Sequence, residues 1–141
     1  MRVLIDTNII LDFLLEREPF TIEAEALLQT VRSGEIQGYV TATTLTDIFY
    51  IARKNKGVQR AKQDISDLLV IMQICTVDRS ILETAISSNL PDFEDAVQLA
   101  CAVFENVDAI ITRDTQGFAG ATLPILSAGE LLQLLSESES N

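Results

Sequence analysis

Histidine is absent from the 141 residues, cysteine occurs only twice, and 10 basic residues face 21 acidic ones. Each shortage removes a class of chemistry. Without histidine there is no imidazole base, so any general base must be a carboxylate, a lysine or water activated by a metal. Two cysteines make neither a disulfide framework nor, in a chain without histidine, a zinc site. Cys75 and Cys101 stand in apolar surroundings, in Gln73-Ile74-Cys75 and Leu99-Ala100-Cys101. They read as buried free thiols, which suits a reducing cytoplasm.

Positive charge is also scarce. A net charge of −11 disfavours a protein that binds nucleic acid through a broad basic face. What positive charge there is gathers locally, in Arg53, Lys54, Lys56, Arg60 and Lys62. Such a run is either a solvated helix face or a positive patch on an acidic molecule. Long apolar runs are missing too. Met1-Arg2-Val3-Leu4-Ile5 begins like a leader, but Asp6 and Asp12 interrupt it, and no small-residue cleavage site follows. With no stretch of 18 apolar residues, the expectation is a cytoplasmic protein and no membrane partner.

The chain that remains is 48% hydrophobic with a mean hydropathy of +0.25, which fits a globular protein and excludes a disordered one. Its length suits a single domain, able to bury roughly 68–70% of the surface its unfolded chain exposes. No internal repeat and no long linker divides it. A domain over 1–135 and an acidic polar tail over 136–141 are expected, the tail frayed.

Strand and helix patterns alternate. Val3-Leu4-Ile5 reads as a strand buried on both faces, and Ile9 to Leu15 as a helix stopped near Glu18-Pro19. An amphipathic helix over Thr21–Arg32 is closed by Ser33-Gly34. Gly38–Thr41 is a second strand, followed by a helix from Thr43 or Thr44 to about Lys54 and another from Val58 to Met72. Ile74–Val77 is a third strand and Ile81–Ser88 a short helix. Phe93–Glu105 is a helix, Ala109–Thr112 a fourth strand, Pro124–Leu126 a short fifth, and Ala128–Leu135 the last helix. This alternation predicts a parallel sheet with helices on both faces, whose ligands bind beyond the carboxyl ends of the strands.

Acidic residues cluster around those ends. Asp6 closes the first strand, and Asp114 follows the fourth in Thr112-Arg113-Asp114. Asp47 is expected in the first turn of the helix after the second strand. Asp95 belongs to the first turn of the helix before the fourth, an edge the sequence alone does not place. Converging carboxylates repel one another unless a cation neutralises them. An oxygen-only donor set suits Mg²⁺ or Mn²⁺, ions that orient and activate water and offset phosphate charge.

Each acid also has a plain structural role open to it. Asp6 could cap the following helix. Asp47, three residues after Thr44, could complete a capping box. Asp92 could be an N-cap, with Glu94 and Asp95 favoured by the helix dipole. Asp114 could end its strand in a turn.

Three stretches in order change the balance. Val3-Leu4-Ile5-Asp6-Thr7-Asn8, Asp92-Phe93-Glu94-Asp95-Ala96-Val97-Gln98-Leu99-Ala100, and Ile110-Ile111-Thr112-Arg113-Asp114 with Phe118 resemble the PIN-domain family from Arg2 to about Leu135. The resemblance implies a three-layer α/β/α fold with a central parallel sheet of four to five strands and one acidic pocket for Mg²⁺ or Mn²⁺. It implies cleavage of single-stranded RNA and, as in many small bacterial members of the VapC type, a toxin paired with an antitoxin.

By that resemblance Asp6, Asp95 and Asp114 are catalytic metal ligands. Asp47 stands where family members usually carry the longer Glu. Asn8 and Thr112 support the pocket, and Asp92 is an auxiliary acid. Arg53, Lys54, Lys56, Arg60 and Lys62 are candidate RNA contacts, and Tyr50 or Phe49 could stack a base. A homodimer is the expected assembly, and an antitoxin would bind near the acidic pocket.

Two rivals stand beside this reading. One is a catalytically inactive PIN-like scaffold that binds proteins, favoured by the negative charge. The other is a different α/β enzyme or switch. A dehalogenase-type phosphatase wants a second Asp where Asn8 stands, and a receiver domain wants a lysine after the last strand, whereas no Lys follows Lys62.

Overall fold

In a computed structural model, which describes residues 1–140, five strands form one sheet. They are β1 (Arg2–Ile5), β2 (Gln37–Thr41), β3 (Gln73–Cys75), β4 (Ala109–Ile111) and β5 (Ile125–Leu126). All pairings are parallel and the order is β3-β2-β1-β4-β5. The chain therefore builds outward from β1 to one edge, then returns to β1's other side. Strand order reverses between β1 and β4, the place where parallel sheets open a crevice at their carboxyl ends.

Among the described residues seven α-helices complete the architecture: α1 (Thr7–Leu14), α2 (Thr21–Arg32), α3 (Ala42–Lys56), α4 (Val58–Ile71), α5 (Arg79–Ile86), α6 (Phe93–Phe104) and α7 (Ala128–Ser140). The strand residues alternate between two cores, as the two-residue period of a strand requires. Val3, Ile5, Val40, Ala109 and Ile111 pack with α1–α4 and α7. Leu4, Tyr39 and Ile110 face α5 and α6 on the other side. The result is the expected three-layer α/β/α arrangement. Cys75 and Cys101 are free and buried in the second core. Among the described residues no helix is long and apolar enough to cross a membrane.

Several element boundaries depart from expectation, β3 among them (Gln73–Cys75 for Ile74–Val77), and three have a local cause. α3 starts at Ala42, with Thr41 as its N-cap accepting from the Thr44 amide (3.1 Å). The capping box of Thr44 and Asp47 is therefore not formed, and Asp47 lies in the second turn. A hydroxyl already present at the strand's last residue captures the free amide first. α5 begins at Arg79 because Asp78 caps it through the Ile81 amide (3.0 Å). α7 continues past Leu135 to Ser140, helped by Gln133 donating to Glu137 one turn on (3.3 Å). Asn141, the end of the expected tail, lies outside the described residues.

Candidate active site

Helices in a parallel α/β layer run antiparallel to the strands, so α6, which precedes β4, begins at the carboxyl edge of the sheet. Its N-cap is Asp92, whose carboxylate accepts from the Asp95 amide (2.9 Å). That cap sets the first turn of α6 beside the ends of β1 and β4. Asp95 comes to this crevice with Asp6, Asp92, Glu94 and Asp114, and each of those four contributes to the electrostatic field that Asp95 feels.

Asp6 is only 6% exposed and is the best-held acid of the group. Its side chain makes no cap bond to α1, although Asp6 is that helix's N-cap. Instead Gln98 Nε2 donates to Oδ1 (2.9 Å) and Thr112 Oγ1 to Oδ2 (2.7 Å). Thr112 Oγ1 in turn accepts from the Asp114 amide (3.0 Å), so one hydroxyl ties Asp6 to the loop after β4. Asp114 is exposed, caps a short 3₁₀ turn over Thr115–Phe118, and accepts from the Gly117 amide through Oδ1 (3.1 Å).

Asp95 has no side-chain hydrogen bond or ion pair among the described residues. Desolvation pushes its pKa up to about 7, and the charges of Asp92, Asp6, Asp114 and Glu94 add to that. Glu94 is exposed as a residue, but its carboxylate rests against Thr7. Desolvation raises its pKa, the Thr7 hydrogen bond (3.1 Å) opposes the rise, and Asp47, Asp6 and Asp92 reinforce it. Asp47 is half-buried and shares with Thr7, Asn8, Tyr50 and Glu94 a cleft of about 330 Å³. Asn8 is exposed there, with no hydrogen bond to the acids among the described residues.

Sequence reasoning named the acids and the supporting Thr112, and passed over Gln98. Gln98 is fully buried one turn after Asp95, and a polar residue between Val97 and Leu99 on a helix's apolar face was the available signal. Thr41, Thr44 and Thr7 form a line of hydroxyls running to Glu94, with steps of 3.0 and 2.9 Å between the threonines. No sequence pattern announces it, because its members lie on three elements.

Among the described residues no three acidic or cysteine side chains already meet as an ion's ligands. Asp6 is turned onto Gln98 and Thr112, Asp114 onto Gly117, and Glu94 onto Thr7. The chemistry of the donor set nevertheless fits a hard divalent cation. It is all oxygen, and it holds a carboxylate, Asp95, that burial and the like charges around it keep from ionising readily. The neighbouring guanidinium, Arg113, is committed elsewhere: its Nε and Nη2 donate to Asp12 (2.7 and 3.1 Å).

The basic cluster divides. Lys56 is tied to Asp64 (2.7 Å) and to the Leu14 carbonyl (3.2 Å). Arg53, Lys54, Arg60 and Lys62 are exposed, and Arg53 lies over the Tyr50 ring at 5.0 Å. Tyr50 is 58% exposed and its ring meets Phe49 edge-on at 5.2 Å. It stands at the wall of the acidic cleft rather than in the core.

A sequence model of the PIN domain matches residues 2–116. No curated protein sequence matches the chain significantly. Among solved structures, a toxin–antitoxin complex from Klebsiella pneumoniae is 25% identical, with 89% of this chain and 97% of that one covered and a TM-score of 0.68. VapC20 of Mycobacterium tuberculosis, a toxin that cleaves the sarcin–ricin loop, is 12% identical over 85% of this chain and 96% of that one, at a TM-score of 0.68. FitAcB from Neisseria gonorrhoeae is 20% identical over 90% and 98%, at 0.65. The last two likenesses show the fold alone.

Proposed function

Since the chain belongs to the PIN domain family, matched over residues 2–116, we propose that it is a divalent-metal-dependent endoribonuclease that hydrolyses phosphodiester bonds in single-stranded RNA. The observation that carries this reading is Asp95, a carboxylate left without a counter-charge where Asp6, Asp92, Glu94 and Asp114 converge on the sheet's switch point. Structural ion pairs are neutral in sum. This cluster is not, and function is the usual reason for such an imbalance.

Asp6, Asp95 and Asp114 would hold Mg²⁺ or Mn²⁺, with Asp47 approaching from α3 and Asp92 as auxiliary acid. When bound, the ion would neutralise the cluster, polarise the scissile phosphate and activate water. The protein's own groups do the rest. Gln98 and Thr112 fix the orientation of Asp6, so that carboxylate is preorganised. Glu94, with its raised pKa and its hydrogen bond from Thr7, is placed at the cleft to take a proton at Oε2 while Oε1 stays held. Arg53, Lys54, Arg60 and Lys62 would contact RNA phosphates, positioning the strand without reading it, while Tyr50 presents a ring on which a base can stack. Lys56, engaged with Asp64, serves this less directly.

The solved relatives include toxin–antitoxin complexes, and we assign this chain the toxin's place in such a pair, with an antitoxin covering the acidic crevice. The exposed apolar residues Ile86, Val103 and Phe104 on α5 and α6 support a homodimer, which sedimentation of the purified protein would reveal. A catalytically inactive scaffold keeps some support from the net charge of −11 and from the lack, among the described residues, of three acids already gathered as an ion's ligands.

The test is direct. Purified protein with Mn²⁺ should cut a single-stranded RNA, and Asp6→Asn should abolish cutting. Equal activity in the variant would assign the cleavage to a contaminant. Calorimetric titration with Mn²⁺ separates nuclease from scaffold, because a scaffold has no need to bind the ion.

A further inference from the structure

Two glycines close the loop after β4, and they differ in why glycine is there. Gly120 has φ +90°, a conformation that side chains disfavour, yet a Cβ on it would meet nothing within 4 Å. Gly117 has no positive φ, so its backbone suits any L-residue. What it lacks is room. A Cβ at 117 would sit 2.8 Å from Asp114 Oδ2, 3.3 Å from Asp114 Cγ and 2.9 Å from Asp95 Oδ2. Carbon and oxygen do not rest at such distances, since contacts of this kind settle several tenths of an ångström further out.

The obstructing atoms decide what would yield. They are not backbone but the ends of two side chains, one from the first turn of α6 and one from the loop after β4. A Cβ would therefore swing the carboxylates aside and leave the fold in place. The Gly117 amide meanwhile donates to Asp114 Oδ1 (3.1 Å), so the residue grips one oxygen of Asp114 and leaves the gap into which the other turns.

We infer that Gly117 is a positioning residue: the hydrogen in place of its side chain is what lets Asp95 and Asp114 face the same point, and it thereby sets the divalent-ion affinity of the pair. This rests on the metal-dependent reading above and names a residue through which that site is shaped.

The test uses the full chain and two variants. Gly117→Ala should melt within about 1 °C of the wild type or slightly above it, since alanine loses less backbone freedom on folding. Its Mn²⁺ affinity by calorimetry should fall about 10- to 100-fold, the range seen when groups that orient metal ligands are disturbed. Gly120→Ala should show the opposite pattern, melting about 3 °C lower because of its positive φ, with wild-type Mn²⁺ affinity. A Gly117→Ala protein that binds Mn²⁺ as tightly as wild type overturns the inference alone. So does one that loses its fold, because the carboxylates would then be unable to yield. Wild-type protein that binds no Mn²⁺ overturns the metal-dependent reading and this inference together.

Discussion

Two acids near the carboxyl edge of the sheet, Asp12 and Asp95, have been given opposite surroundings. Asp12, on α1, is 1% exposed and fully answered: Arg113 donates to both its oxygens, Arg17 adds a second guanidinium at 3.8 Å, and Phe20 packs under Arg113 at 3.9 Å. Asp95 faces four other carboxylates, and its pKa is lifted to about 7. A burial cost that is met at one site is left standing at the other. The first arrangement holds the loop after β4 to α1. The second is relieved when Asp95 takes up a proton or, in the metal-dependent reading proposed above, a cation, and in that reading its cost without the ion adds to its affinity for one.

The largest effect should come from breaking the answered site. Arg113→Met leaves Asp12 buried with only the distant Arg17, and should cost about 3 kcal/mol in urea unfolding. It should also loosen the Asp114 loop and weaken Mn²⁺ binding, whereas loss of stability with metal affinity intact would confine Arg113 to a structural role.

Relieving the unanswered site should act with the opposite sign. Asp95→Asn should stabilise the metal-free protein at pH 7.5 by about 1 kcal/mol, once solvent screening of a half-buried group is allowed for, while abolishing cleavage. The same imbalance has a pH signature. Asp95 binds its proton more tightly folded than unfolded, so the folded state holds more protons between about pH 4 and pH 7. The contribution is present in full below the unfolded pKa and is lost as pH rises through about 7. Thermal melts of the metal-free wild type should therefore fall across that window. The slope should flatten in Asp95→Asn and in saturating Mn²⁺, and identical slopes in all three would remove Asp95 as its source.

Smaller effects belong to the rim. Tyr50→Ala should weaken binding of single-stranded RNA by about 1–2 kcal/mol with Mn²⁺ affinity unchanged. Lys62→Ala should do less, reducing the salt dependence of RNA binding by about one ion.

Local pattern carried much of the architecture. Val3-Leu4-Ile5 and Ala109-Ile110-Ile111 announced buried parallel strands because both of their faces are apolar, and β1 and β4 pair side by side. Asp92 announced a cap, and it caps. The Thr41–Thr44 region shows where local reading fails. Several hydroxyls in a row could each begin a helix, and the one nearest the strand does, which moves Asp47 from the first turn to the second. Asp6 shows a different failure. By sequence it could cap α1, but the buried Gln98 and Thr112, 92 and 106 residues away, claim its oxygens first.

What the sequence determined by itself is the inventory and the order. Its strands alternate with helices, imidazole chemistry is excluded because histidine is absent, and acids stand at the strand ends. Only the tertiary structure decided which acids are neutralised. Arg113 stands next to Asp114 in the chain and pairs instead with Asp12, 101 residues away, leaving Asp95 to the field of its own kind. Charge balance is a property of distances in space, and hydrophobic periodicity sets those distances only by assembling the sheet that brings β1, β4 and the start of α6 together.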